Sequence, residues 1–472
     1  MISEQKERML DILEYAINKV SLSSKDFLDI RYAYAMGESF TVRNDRFDSV
    51  SNQTTGGIAI RALIDNAWGF TTIVKTDKES ILQAAEKAVR MARTGSKYTK
   101  QERSISDSWV FEGKGATTIE IDPRAVDKEA KFEKVVKTEK AAREYSDSIA
   151  ESSSTYQESH GNEIIINSKG TKVENETHVI RIMKNVIGRE GTKMQSVFDS
   201  AGGAGGWELI EKWDPEEEGL KAAVMAEKLL IAKEPPSGKM NVVMDPSLTG
   251  VFIHEAFGHA CEADAIIAKT SVLEGRIGEK VGIEEINVYD DPTVKGLRGS
   301  FAYDSEGTKA RKRVLVEGGI LKEYFHTLET ATALGMEPNG SGRAMNFNVT
   351  PQARMGNTYV EGGEMTIDEI AEIAKDGVYL KDSYGGYVMP AKGQFYFSCQ
   401  MGYIIKNGEI ADMMGNVGMS GMTLEVLQNT FAIGKSWEPA FEGTCGKGGQ
   451  WVPVTGGGPN LAVSNLVVGG SK

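Results

Sequence analysis

Residues 238–259 read GKMNVVMDPSLTGVFIHEAFGH. Met240–Met244 is a short apolar run of strand character, Asp245–Pro246 a turn, and the apolar residues from Ser247 onward predict a helix. An early proline and a serine free to cap suit a helix N-terminus. His254 and His259 then fall on a helix that leaves a strand through one tight turn.

The spacing of the two histidines sets a geometric problem. In H-E-x-x-H the imidazoles stand at i and i+4, on one helix face, where they can hold zinc. Here His254 and His259 are five apart, H-E-x-x-x-H. Five residues of regular α-helix advance the direction by about 500°, which leaves the rings roughly 140° apart. A π-type turn with i→i+5 hydrogen bonds returns both to one side, and Gly258 lowers the steric objection to it. The sequence therefore predicts a widened turn or kink at 254–259. Two neutral imidazoles, one further ligand and a water make the open, catalytic kind of zinc site. Glu255 is placed to take a proton from that water and return it to a leaving amine.

A third ligand has several candidates. His160 and His178 lie in charged strands and His326 in KEYFHTLETATAL beside aromatics; each reads as structural. Cys445 sits in FEGTCGKGGQWVPVTGGGP, read as a glycine-rich loop, where Lys447 and backbone amides would depress a thiol pKa. By itself it reads more plainly as a small buried residue in a turn. Cys261, two residues past His259 on a helix, points elsewhere and reads as packing, and Cys399 in GQFYFSCQMGYII reads as core. Glu262 and Asp264 either hydrogen-bond a ligand histidine or are solvated helix carboxylates.

The rest of the chain bounds the fold. Its 472 residues exceed one core, so two domains are expected. Amphipathic spacing predicts a helix at 4–20, 124–146 reads as a long charged helix, and further helices are expected at 78–94 and 216–232. Residues 27–74 alternate and turn like a β-meander, and 147–188 read as strands with turns at SKG and ENE. The glycine cluster of DSAGGAGGW allows close backbone approach. KEPPSG marks the boundary. The expected class is α+β: an N-terminal mixed α/β-sheet domain, 1–235, and a glycine-rich, strand-dominated C-terminal domain, 236–472, that carries the metal-site helix.

Composition excludes several functions. The start MISEQKERMLDILEYA has no apolar segment of a secretory signal, and no run of about 18 apolar residues predicts a membrane span. A net charge of −13 argues against nucleic-acid binding. KARKRVLVEGG, 309–319, reads as a solvated strand end, and the acidic DDPTVKGLRGSFAYDSEG, 290–307, as a solvated hairpin without calcium-ligand spacing. FAIGKSW lacks the first glycine of a phosphate loop, and SAGGAGGW lacks the dinucleotide spacing. Three cysteines form no disulfide framework, which points to a reducing, cytoplasmic compartment.

The segments VVMDPSLTGVFIHEAFGHACEAD, VYDDPTVKGLRGSFAYDSEG, RMGNTYVEGG and GTCGKGGQWVPVTGGGP together resemble the TldD branch of the TldD/PmbA metallopeptidases. GGIAIRALIDNAWGF is similar to that family's first domain, and the resemblance runs along nearly the whole chain. It implies a zinc-dependent peptidase, one Zn2+ per chain, with ligands at His254, His259 and Cys445 and a catalytic glutamate at Glu255. It implies a homodimer, or a heterodimer with a paralogous subunit, formed by the first domain and enclosing a cavity for unfolded or extended peptides. Such peptides would lie along a sheet edge, with GNTYVEGG (356–363) and the glycines of 202–206 as backbone-presenting segments. Cys261 stands where the family pattern leads one to expect an aliphatic residue. The alternatives are a thiol-dependent amidohydrolase with Cys445 as nucleophile, and a non-catalytic partner subunit with structural zinc.

Overall fold

The structure is a computed structural model that describes residues 3–435 and 437–470. Residues 27–203 supply one seven-stranded sheet. Its path runs Ala67–Ile73, Arg46–Ile64, Phe27–Arg43, Ile149–Asn167, Lys172–Glu190, Glu112–Ala116, and Lys193–Gly203 also pairs with Lys172–Glu190. Two-residue turns at Asn44–Asp45 and Asp65–Asn66, all at positive φ, close the first two hairpins and match the twist of the flanking strands. These are the predicted meander. The expected turn at SKG is present, but ENE (174–176) lies inside the long strand Lys172–Glu190. Its acidic run is a charged stretch of sheet rather than a loop, because strand pairing on both sides overrides the local turn preference.

Helices cover one face of this sheet in two groups. Ser3–Lys19 and Lys78–Gly95 bury Leu13, Ala16, Ile81 and Ala88 against Ile30, Ile60 and Ile164. Burying each of the leucine and isoleucine side chains contributes about 1.5–3 kcal/mol. Lys128–Arg143 lies over Phe40, Tyr156 and Ile182, and Pro215–Leu230 over Val186 and Val197. The predicted helix at 124–146 is thus a short 3-10 turn, Pro123–Ala125, followed by Lys128–Arg143.

Residues 238–470 form the remaining sheets. Gly377–Met389, Gly238–Met244, Leu461–Gly470, Val417–Met422 and Gln394–Lys406 pair in that order, and the last returns to the first, closing a β-barrel. A second sheet runs Ile320–Leu321, Arg313–Glu317, Val288–Asp290, Asn357–Val360, Gln450–Gly458, Glu438–Lys447. Asn357–Val360 is buried and paired on both edges, so it has no backbone to offer a peptide. The glycines near 202 are likewise used internally: Gly202 pairs with Arg181, and Gly205 N–H bonds the His178 carbonyl.

Two stretches expected to be solvated are so only in part: Lys309, Arg311, Lys312 and Glu317 are exposed, as is Lys295, but other charged residues of both are buried. Arg313 and Asp290 are completely buried and form an ion pair, and Asp304 and Glu306 are 2–3 % exposed. Asp290 also accepts from Gly356 N and Thr358 Oγ1. Each segment looks hydrophilic alone because its neutralising partner lies some twenty residues away or on the other half of the chain, as Arg61 does for Glu306 at 3.0 Å. No helix among the described residues is long and apolar enough to cross a membrane.

Candidate metal centre

Strand Gly238–Met244 ends in Asp245, whose carboxylate accepts from Leu248 N at 2.8 Å and starts the helix Pro246–Phe252. Pro246 occupies the first turn, where its missing N–H costs nothing. Every helix residue from Ser247 to Phe252 is buried. The helix then widens into a π-turn, Ile253–Gly258, in which the His259 N–H donates to the His254 carbonyl five residues back. A 3-10 turn, His259–Cys261, follows. The predicted kink is present. Thr423 Oγ1 donates to the Ala256 carbonyl at 3.1 Å and Ser271 Oγ to the Ala260 carbonyl at 2.6 Å, so buried acceptors of the distorted segment are satisfied from outside it.

Gly258 has a different task from the one its sequence position suggested. Its backbone is ordinary helix, φ −59° and ψ −48°. A Cβ there would sit 2.1 Å from the Met355 sulfur, so the glycine admits a neighbouring side chain rather than an unusual dihedral. The preceding helix is held by the same means: a Cβ on Gly250 would meet Gly457 N at 2.5 Å.

Gly457 belongs to the strand that carries the third donor's hairpin. The sequence places Cys445 in a loop. It lies instead in strand Glu438–Lys447, paired with Val452 of Gln450–Gly458. Gly448 and Gly449, at φ 56° and 74°, make the two-residue turn. One strand of this hairpin therefore docks the helix at Gly457 while the other brings Cys445 to it. Buried Arg354 fixes the hairpin by donating to the Cys445 carbonyl at 2.6 Å.

The result is a convergence of His254, His259 and Cys445, with one donor atom of each within 4.8 Å of the others. Cys445 Sγ is 3.4 Å from His259 Nε2, and the two imidazole rings stand edge to face, 5.4 Å apart. His254 is fully buried, Cys445 3 % and His259 9 % exposed. The side chain of Glu255 is 30 % exposed, with Oε2 3.7 Å from His259 Nε2. Glu262, left open between two readings, is buried and faces His259 Nδ1 at 3.0 Å. Lys447 lies 3.1 Å from the same Glu262 oxygen and donates to Asp264 at 2.6 Å.

Electrostatics favour a thiolate here. Burial works against ionisation of Cys445, but His254 and His259 outweigh it and hold the thiol pKa down to about 4. Burial also opposes charge on His259, yet Glu262 and Cys445 raise it well above its usual range. Burial would raise Glu262; His259 and Lys447 keep it low. A thiolate and two imidazoles in a dry pocket are the donor chemistry that zinc accepts.

The remaining candidates lie elsewhere. Cys261 and Cys399 are fully buried in the hydrophobic core, and burial pushes both thiols up, Cys261 well above its ordinary value. His326 is buried, with Thr330 3.4 Å from its Nδ1 and a pKa lowered to about 4 by burial. His160 and His178 face each other on the first sheet. Arg354 and Thr423 escaped the sequence reading: their partners are 91 and 167 residues away, and no local pattern marks them.

Comparisons with known proteins agree along the chain. The profile of the PmbA/TldA metallopeptidase C-terminal domain matches residues 237–470, that of domain 1 residues 28–92, and that of the central domain residues 121–231. A metalloprotease of Methanothermobacter thermautotrophicus is 37 % identical over 94 % of this chain and 96 % of its own. A zinc metalloprotease TldD homolog of Saccharolobus solfataricus is 28 % identical over 96 % and 99 %. Among solved structures, TldE from Thermococcus kodakarensis superposes with a TM-score of 0.77 at 20 % identity, covering 98 % of this chain and 100 % of that one, a likeness of fold.

Proposed function

Because the chain belongs to the PmbA/TldD family of metallopeptidases, we propose that it is a zinc-dependent peptidase acting on unfolded or extended peptides. In this reading His254, His259 and Cys445 hold one zinc ion per chain and Glu255 is the general base. The observation that carries it is the meeting of three buried donors beside one partly open carboxylate. Zinc bound there would supply Lewis acidity to the scissile carbonyl and the attacking water. Glu255 takes up a proton at its carboxylate and delivers it to the leaving nitrogen. Glu262 accepts the Nδ1 proton of His259 and so directs Nε2 toward Cys445 and Glu255.

Burial supports the substrate class. With donors no more than 9 % exposed, the site takes a narrow chain segment rather than a folded surface. The long hairpin of the first sheet supports assembly with a second subunit, its own copy or a paralogue. Along 46–57 its outer strand pairs on one side only, and it shows Phe47 and Val50, 60 % and 59 % exposed. Three free buried cysteines suit the cytoplasm.

The test is Glu255→Gln. Zinc content stays at the wild-type level, while cleavage of an unstructured peptide falls about 10²–10⁴-fold. Unchanged cleavage would reject the general-base role. The Cys445–His259 contact of 3.4 Å favours, as the second reading, a thiol amidohydrolase. That reading requires activity that survives chelation and is lost on alkylation. The third reading, a non-catalytic partner with structural zinc, requires no cleavage by the zinc-loaded wild type.

A further inference from the structure

A second set of imidazole and carboxylate donors lies on the first sheet. His160 and His178 are cross-strand partners, and their rings meet: Nδ1 of His160 is 2.8 Å from Nε2 of His178. Glu176 Oε1 lies 3.7 Å from His178 Nε2 and 3.8 Å from His160 Nε2. Both histidines are buried, at 7 % and 5 % exposure. They line a cavity of about 270 Å³ on the helical face of the sheet, between the two groups of helices. Among the described residues, this cluster and the His254–His259–Cys445 centre are the two that bring three such donors within 4.8 Å.

We propose that His160, His178 and Glu176 form a second divalent-metal site, for Zn2+ or Co2+, separate from the thiolate centre. Two imidazoles and a carboxylate are the ligand types these ions take, with a fourth position for water. The surroundings are arranged for it. Asn162 presents Nδ2 to His160 Nε2 at 2.9 Å while its Oδ1 is buried without a partner. Turning the amide over lets Oδ1 accept from the Nε2–H of His160. That satisfies the orphaned oxygen and aims the Nδ1 lone pair of His160 at the space shared with His178.

Arg124 works against positive charge on both rings, but it and Lys6 each have a carboxylate partner. Lys6 occupies Glu176 Oε2 at 2.9 Å and leaves Oε1 turned to the rings. Arg124 is paired with Asp122 through two nitrogens, at 2.9 and 2.6 Å. Zn–N bonds of about 2.0–2.1 Å in tetrahedral geometry separate two nitrogens by about 3.3 Å, so the rings must part by about half an ångström. The adjoining cavity provides that room, and an entry path.

Cobalt(II) titration of the full metal-free chain tests this, with bound metal counted by equilibrium dialysis and followed by absorption. The wild type binds two equivalents, of which one carries the thiolate-to-cobalt charge-transfer band. His178→Gln and Glu176→Gln each remove the other equivalent and keep that band; Cys445→Ser loses the band and keeps the second equivalent. Glu176 is a third exposed, so its substitution carries the test where the buried His178 is not tolerated. Saturation of the wild type at one equivalent, or a second equivalent that survives Glu176→Gln, would overturn the proposal. The readout is independent of peptide cleavage.

Discussion

Glu262 Oε2 lies 3.0 Å from His259 Nδ1, on the side of the ring away from the other donors. The carboxylate thereby fixes both the tautomer and the orientation of the imidazole, and Lys447 in turn fixes the carboxylate. Glu262→Gln keeps the shape and weakens the acceptor. Zinc affinity, measured by competition with a chromophoric chelator, is expected to fall about 10–100-fold while the fold is retained. Unchanged affinity would show that the contact does not tune the site.

The charge state of the metal-free centre makes a pH prediction. Cys445, held down to about 4, is already a thiolate at neutral pH, whereas His259, raised above its usual range, still carries a proton. Metal must displace that proton. Zinc affinity should therefore rise about tenfold per pH unit up to the raised pKa of His259, then level off, with thiol protonation adding to the slope only below about pH 4. Calorimetry at neutral pH in buffers of different ionisation enthalpy should count about one proton released per zinc. Release of two protons per zinc at neutral pH, the second from the thiol, would contradict the thiolate assignment.

Gly258 gives a packing prediction. Gly258→Ala drives a methyl group into the Met355 sulfur, 2.1 Å from the built Cβ, and should cost about 1–3 kcal/mol by overpacking. Because the clash falls at the end of the π-turn, zinc affinity should drop with stability. Met355→Ala opens the space, so the double variant should recover part of the affinity lost by Gly258→Ala alone. Denaturant midpoints and zinc titration of the single and double variants measure this coupling. Strictly additive effects would mean that the glycine matters for another reason.

How far the site can be read from sequence follows from how local its causes are. The π-turn was legible because five-residue spacing and a requirement for one ion leave a single helical solution. The hairpin turns of the first sheet were legible for the same reason: their two residues determine them. The strand position of Cys445 is not legible, because glycine-rich sequence suits a loop as well as a strand. In fact Gly448 and Gly449 form the turn, and Gly456–Gly458 lie in a strand beneath helix Pro246–Phe252. What a glycine admits is a neighbour distant in sequence, and composition does not name it. The Arg313–Asp290 pair was lost in the same way, since charge run by run predicts solvent unless the partner is known. Spacing alone does not single out Cys445 as the proposed third ligand; the resemblance to a known family does.

The central claim is that His254, His259 and Cys445 together hold zinc. Mass spectrometry of metal bound to wild type, Cys445→Ser and Cys261→Ser, each also carrying Glu176→Gln to isolate this centre, tests it most directly. About one zinc per chain in the otherwise wild-type protein, kept in Cys261→Ser and lost in Cys445→Ser, is the expected result. Zinc retained at full occupancy without Cys445, or absent from the protein after zinc is offered, would contradict the account.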